Sequence, residues 1–420
     1  MTHAWRRAAL AGALAAGLAR PLAAQVDPVD AVDQALSFGS ADGTLRARVS
    51  GTVDLEGYYL TLPESGLVFD ESRAFLNPRL SLFLDAQLGP QVYVFAQVRA
   101  DDGFDPDEPG PKVRPDEYAL RYTPLGDGRL NFQVGKFATV VGNWTLRHLS
   151  WDNPFVTAPL PYENLTGIWD TDAAPNVFAL MAWAGMSPRP VVAGAFLDQY
   201  RNVPVIWGPS YASGASVFGM YGDIQYAFEV KNASLSSRPE EWQPTDRQWQ
   251  DPTYSGRIGY VPNEMWNFGV SASAGSYLRQ DAVPTLAPGT SLDNYMEIVL
   301  AQDASFAWHH VQVWAEAFET RFEIPEVGDA DTFAYYVEAK YQFAPQFFGA
   351  LRWNQQYFSS LEVPGIGETP WSRDVSRVDL AAGYRPTPHT QVKLQYSLEK
   401  QAADIGAWSQ LVAVQLTLRF

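Results

Sequence analysis

Apolar and polar residues alternate with a period of two over most of the chain. In the closing stretch Leu411–Phe420, Val412, Val414, Leu416, Leu418 and Phe420 are apolar, and Ala413, Gln415, Thr417 and Arg419 sit between them. Leu45, Ala47, Val49, Val53, Leu55 and Tyr59 alternate with Arg46, Arg48, Ser50, Thr52, Asp54 and Glu56. Leu76–Leu88, Gln91–Arg99, Phe333–Gln342, Arg377–Arg385 and Gln391–Glu399 repeat the pattern. Each stretch reads as a β-strand with one oily and one wet face. Such a strand fits a half-buried soluble sheet, or a barrel with lipid outside and water inside.

The connections separate the two. Short ones carry turn residues, at Gly89-Pro90, Gly126-Asp127-Gly128, Ser187-Pro188, Pro262-Asn263, Ala344-Pro345 and Pro386-Thr387-Pro388. Between them lie long polar ones, at 60–74, 101–115, 138–172, 200–213, 235–252, 279–291, 323–331, 359–375 and 401–408. Short turns at one end and long loops at the other are the habit of an outer-membrane barrel, and a soluble sandwich has no reason to sort loops by length. The expected fold is therefore all-β, a transmembrane antiparallel β-barrel with short periplasmic turns and long outer loops. Hairpin counting gives about 18 strands, and 16 if the weakest pair, Ser216 to Val230, is left out.

The start of the chain supports export. Arg6 and Arg7 precede a short apolar stretch, Ala8–Ala19, and Leu22-Ala23-Ala24 offers a cleavage site. The expected organisation is a signal peptide at 1–24, a short periplasmic lead at 25–43 and a barrel at 44–420. The apolar stretch is too short for a membrane-spanning helix. The absence of cysteine fits the envelope of a Gram-negative-type cell better than a disulfide-stapled secreted domain. A formal charge of −17 argues against nucleic acid as a partner. The aromatic content of 14% suits rings at a membrane–water boundary, so outer-membrane lipid is the expected surrounding.

The segment Tyr118-Ala-Leu-Arg-Tyr-Thr-Pro-Leu, then Leu130-Asn-Phe-Gln-Val-Gly-Lys-Phe-Ala-Thr-Val-Val-Gly142, resembles the phosphate-selective porin family (porins O and P). Asn77-Pro-Arg-Leu-Ser-Leu-Phe-Leu is similar to an early strand of that family. The likeness covers about residues 75–170; the family's second basic position is Ala138 here, and its Pro-Phe pair is Val140-Val141. The resemblance implies a homotrimeric, water-filled channel for small polar or anionic solutes, phosphate among them, with no cofactor.

Candidate chemistry follows from strand parity. Arg79, Arg99, Arg121, Lys340, Arg352 and Arg377 face the lumen, as do Glu316 and Glu338. Facing rows of arginine and carboxylate would set a transverse field across the pore. The bland alternative is cross-strand pairing that stiffens the wall. The connection 138–172 is long enough to have a function. By analogy with general porins it folds inward, with Arg147, His148 and Asp152 at the constriction; otherwise it is an outer lid. Lys136 shares parity with Phe132 and Val134, so it either snorkels at the lipid edge or is turned inward by a bulge at Gly135.

The remaining features are weaker. The acidic runs Asp101–Glu108 and Glu323–Asp331 lack calcium-loop spacing and read as solvated loops, so no metal site is expected. His148, Ser150 and Asp152 are too close in sequence for a catalytic triad, so no enzyme is expected. A barrel enzyme and a non-conducting structural or binding barrel stand as the alternatives.

Overall fold

The computed structural model describes residues 28–61, 66–68, 72–101, 111–185, 201–244, 249–401 and 408–420. The expected signal peptide lies outside them, as do Ser187-Pro188 and most of the acidic run after Asp101. In the lead, Pro28–Ala35 forms a short helix, α1, and Ser37–Gly39 pairs antiparallel with Arg46–Arg48.

The wall begins with β1 (Leu45–Leu60), β2 (Ala74–Leu88), β3 (Val92–Asp101), β4 (Lys112–Tyr122) and β5 (Asn131–Lys136). It continues through β6 (Ser213–Tyr221), β7 (Ile224–Lys231), β8 (Thr253–Asn263), β9 (Trp266–Ser276) and β10 (Met296–Trp308). It ends with β11 (Val311–Ile324), β12 (Gly328–Ala344), β13 (Phe347–Phe358), β14 (Val375–Thr387), β15 (Thr390–Gln401) and β16 (Ser409–Arg419). Each strand pairs antiparallel with the next, and β16 returns to β1 in register from Leu411↔Leu60 to Arg419↔Thr52. Phe420 and Gly51 exchange both backbone hydrogen bonds, at 3.0 and 2.9 Å. The result is a closed barrel of 16 strands. Closure leaves no sheet edge in lipid, where an unpaired N–H or C=O has no partner.

The count falls at the lower end of the expected range for a physical reason. The hairpin expected around Ser187-Pro188 does not form over Val177–Gly185, which is a helix, α2. Val177-Phe-Ala-Leu-Met-Ala-Trp-Ala184 is apolar without alternation and rich in good helix formers, so it carries no period-two signal. The weak pair around Ser216 and Val230 does form, as β6 and β7. The connections expected at 138–172 and 200–213 therefore belong to one segment, 137–212, between β5 and β6. The connection expected at 323–331 is a tight hairpin, since the β11–β12 ladder continues out to Ile324↔Gly328. There Arg321 holds Asp329 and Asp331, each at 2.8 Å.

The two faces separate as the alternation requires. Leu55, Leu76, Val134, Val270, Leu300, Leu351, Leu380 and Leu394 are exposed on the outside. Asp54, Glu56, Ser81, Gln97, Glu316, Glu338, Asp379 and Gln395 are buried inside. Outward rings gather near both rims: Tyr221, Tyr260, Trp308 and Phe343 by the short turns, and Tyr59, Tyr254, Phe333 and Tyr357 by the long loops. On β12, Phe333 and Tyr341 bracket about 26 Å of strand at about 3.3 Å per residue. At a tilt of about 40° that gives an apolar band of about 20 Å, close to the height of a barrel's lipid-facing band.

Gly135 decides where the chain leaves the wall. Its φ is +142°, and a Cβ there would meet Tyr118 O at 2.1 Å. Lys136 is buried and not at the lipid edge, but without the expected bulge, since both ladders of β5 pass Gly135 with no register shift. Lys136 is 1% exposed and donates to Pro115 O at 2.9 Å. We predict that Gly135→Ala costs at least about 1–3 kcal/mol in local strain. Folded yield, read as the heat-modifiable fraction on a gel, should fall sharply; yield equal to the parent would show that this position does not need glycine.

Candidate functional site

The described part of the segment 137–212 includes residues that enter the barrel and lie against its inner wall. Val141, Phe155 and Tyr162 are fully buried there. Gly142 sits so close to Tyr162 Oη and Glu316 Oε2 that a Cβ would meet them at 2.2 and 2.8 Å, and its φ is +76°. Only glycine lets the loop seat at this point.

Side chains of the wall satisfy the loop's backbone. Glu316 accepts from Asn143 N at 2.9 Å, and from the hydroxyls of Tyr162 and Tyr336. Gln395 Oε1 accepts from Val156 N and Thr157 N at 2.6 and 3.1 Å. Lys393 Nζ donates to the carbonyls of Ser150, Asn153 and Phe155 at 2.8, 2.9 and 2.9 Å. These groups replace the water that an irregular backbone otherwise needs.

A chain of ion pairs runs from the loop across three strands and back to the loop. Arg147 pairs with Glu338 at 2.6 Å, Glu338 with Arg352 at 3.5 Å, and Arg352 with Asp379 at 2.8 Å. Asp379 pairs with Arg377 at 3.2 Å, and Arg377 closes on Glu163. None of these side chains is more than 10% exposed. Arg147 also lies over Trp314, with 4.4 Å to the ring centroid. Glu316, Glu338, Arg352, Arg377 and Arg147 thus meet as anchors under the loop. Lys340 lies apart, with Nζ over the Phe348 ring at 4.7 Å.

On the other side, between the described part of the loop and β1–β4, cavities remain. A cavity of about 180 Å³ is lined by Glu56, Arg79, Arg99, Arg114, His148 and Ser150, among others. Below it, a cavity of about 640 Å³ opens toward the short turns, lined by Arg48, Asp85, Glu117, Arg121, Asp152 and Arg419, among others. The loop residues between them alternate, with Ser150 facing the first and Leu149, Trp151 and Asp152 the second. Trp151 is held between Arg385 and Arg419, at 4.7 and 4.3 Å. A side chamber of about 480 Å³ shares Phe95, Glu117 and Arg121 with the lower cavity.

The upper cavity carries an asymmetric charge pattern. Arg79 pairs with Asp54 at 3.2 Å and with Glu56. Arg99 reaches Asp101 and Asp116 at 3.0 and 3.1 Å, and Arg114 reaches the same two at 3.2 and 2.9 Å. The three arginines are 17, 26 and 19% exposed, whereas the four carboxylates are 1 to 3% exposed. The upper cavity therefore presents more guanidinium than carboxylate surface, although Glu56 also lines it. Arg114 was not among the sequence candidates, because 101–115 reads as a loop; the short alternation Lys112-Val113-Arg114, with Val113 outward, is the signal that marks the start of β4.

His148 faces the passage without a charge. Nδ1 meets Thr145 O at 2.5 Å, so Nδ1–H donates, and Nε2 accepts from the Tyr211 hydroxyl. Burial pulls its pKa down to about 4. Both ring nitrogens are engaged, so neither serves as a base for Ser150.

No family model and no curated protein matches the chain. Solved structures do. An anion-selective porin from Comamonas acidovorans is 12% identical, with 90% of this chain and 100% of that chain covered and a TM-score of 0.54. OmpF of Salmonella typhi, in complex with daunomycin, is 12% identical, with 91% and 100% covered and a TM-score of 0.56. OmpT of Vibrio cholerae, in its trimer form, is 8% identical, with 90% and 100% covered and a TM-score of 0.53. At this identity the likeness concerns the porin-type barrel; phosphate selectivity has no counterpart among these matches.

Two outcomes are expected of the seated loop. Arg147→Met leaves a buried carboxylate short of a partner, a loss of about 3–5 kcal/mol. Proteinase K should then cut within 138–172 in the folded barrel, where the parent resists; equal resistance would mean the ion-pair chain does not hold the loop. Acidification should also loosen it. Between pH 6.5 and about 4 a detached loop binds a proton on His148 that the seated loop rejects. Seating is thus strongest above pH 6.5 and weakens as the pH falls through that window. His148→Gln should remove this part of the pH dependence of cleavage, and an unchanged profile would assign it to other groups.

Proposed function

We propose that the protein is a porin-type diffusion channel of an outer membrane, passing small polar solutes with a preference for anions. The observation that carries this reading is the exposure of Arg79, Arg99 and Arg114 in the upper cavity of the lumen, with the carboxylates of Asp54, Glu56, Asp101 and Asp116 more deeply buried than the arginines they pair with. Counted formally, these carboxylates outnumber the arginines by four to three. A permeating ion, however, meets the nearest and least screened charges first. The barrel's apolar band fits an outer-membrane location, and the signal-like start fits export. The short guanidinium ladder offers forked donors to carboxylate or phosphate oxygens, so phosphate belongs to the solute class. A homotrimer in the membrane is part of the proposal, by likeness to the trimeric Vibrio cholerae barrel.

The test is the reversal potential of the purified protein in a planar bilayer across a salt gradient. Anion preference is expected in the parent. Replacing Arg79, Arg99 or Arg114 singly with Ala exposes carboxylate that had been covered, and should shift the permeability ratio several-fold toward cations. Cation preference in the parent, or no conductance at all, would overturn the reading.

A further inference from the structure

Several inward rings of the wall are left part-exposed by the described part of the loop. Elsewhere inward rings such as Phe318 and Tyr336 are sealed under the loop, both 0% exposed. Phe95 on β3 and Phe218 on β6 instead line the open side chamber. They bracket Arg121, whose guanidinium carbon lies 5.9 Å from the Phe95 centroid and 5.0 Å from the Phe218 centroid, with Tyr93 at 5.5 Å. Cation–π contact of this kind orients a guanidinium and leaves its charge in place.

Among the described residues that charge has no direct ion pair; the Glu117 carboxylate acts on it from beyond contact and accepts instead from Ala138 N at 2.9 Å. Nε and Nη2 of Arg121 both donate to the neutral Gln133 Oε1, at 3.1 and 2.9 Å. Among the described residues no carboxylate pairs with it and Nη1 has no acceptor. Arg79, Arg99, Arg114 and Arg257 each hold at least one carboxylate. Arg121 also stands where the lower cavity and the side chamber join.

We infer that this junction is a binding subsite for aromatic monocarboxylates, which sharpens the substrate class and rests on the channel reading above. The solute's carboxylate supplies the direct ion pair that Arg121 lacks. Its ring replaces water against Phe95 and Phe218, which a strongly hydrated inorganic anion cannot do. Asp85, Glu117 and Asp152 line the same space and weaken the binding of any anion, a dianion about twice as much, so one carboxylate is favoured over two. A subsite of this kind must stay weak enough to release its solute to the next compartment.

Benzoate is the probe, with acetate lacking the ring and benzamide lacking the charge. Each is titrated on the short-turn side of the channel in a planar bilayer, and the block of potassium chloride current is read. Benzoate should block saturably, about tenfold more tightly than acetate or benzamide, from one charge-assisted hydrogen bond plus ring contact. Arg121→Gln should abolish the advantage over benzamide, and Phe218→Leu should reduce the advantage over acetate several-fold. Should Arg121→Gln fail to assemble, Phe218→Leu carries the test. If the parent conducts but benzoate and acetate block alike, or neither variant alters the ratio, the subsite is overturned and the channel reading stands. If the parent does not conduct, both fall.

Discussion

Arg147, Glu338, Arg352, Asp379, Arg377 and Glu163 form the chain of charge on which the interior depends. It begins and ends on the loop and crosses three strands of the wall in between. With three guanidinium groups and three carboxylates it is neutral as a set, so it can be buried without a net charge. Breaking any link leaves an ion buried without its partner. That penalty, more than the gain from each pair, is what keeps an irregular segment seated inside a barrel that would otherwise be a wide pore.

Seating the loop divides the lumen's charges into two populations. Most of those on β11–β14, from Glu316 to Asp379, are spent on anchoring, with Lys340 apart from them. Those on β1–β4 remain at the surface of the cavities on the other side. There the arginines are more exposed than the carboxylates they pair with, so the wall is close to neutral overall and basic where a solute meets it. Lys393 and Gln395 act with the ion pairs, because they satisfy loop carbonyls and amides that have no strand to bond with.

Much of this was legible in the residues themselves. The alternation in Leu45–Glu56 and Val412–Phe420 put the right side chains inside, because a strand's two faces follow parity alone. Arg79, Arg99 and Arg121 could be placed in the lumen on that basis, and so could Glu316, Glu338, Arg352 and Arg377. The hairpin expected around Ser187-Pro188 gives way to a helix over Val177–Gly185, because a uniformly apolar run carries no period. Arg114 was missed because its strand begins within three residues of a polar loop, too short a stretch for alternation to register.

The sequence by itself determined the fold class, the in-or-out sense of most strand residues and the length of most connections, since these depend on local periodicity and turn chemistry. Only the tertiary structure decided which lumen charges are free. Whether Arg352 faces water or Asp379, and whether Arg121 keeps an open edge, depends on where a long loop comes to rest. That resting place is set by contacts between residues two hundred positions apart, such as Arg147 with Glu338 and Glu163 with Arg377. Such contacts exist only once the barrel has closed.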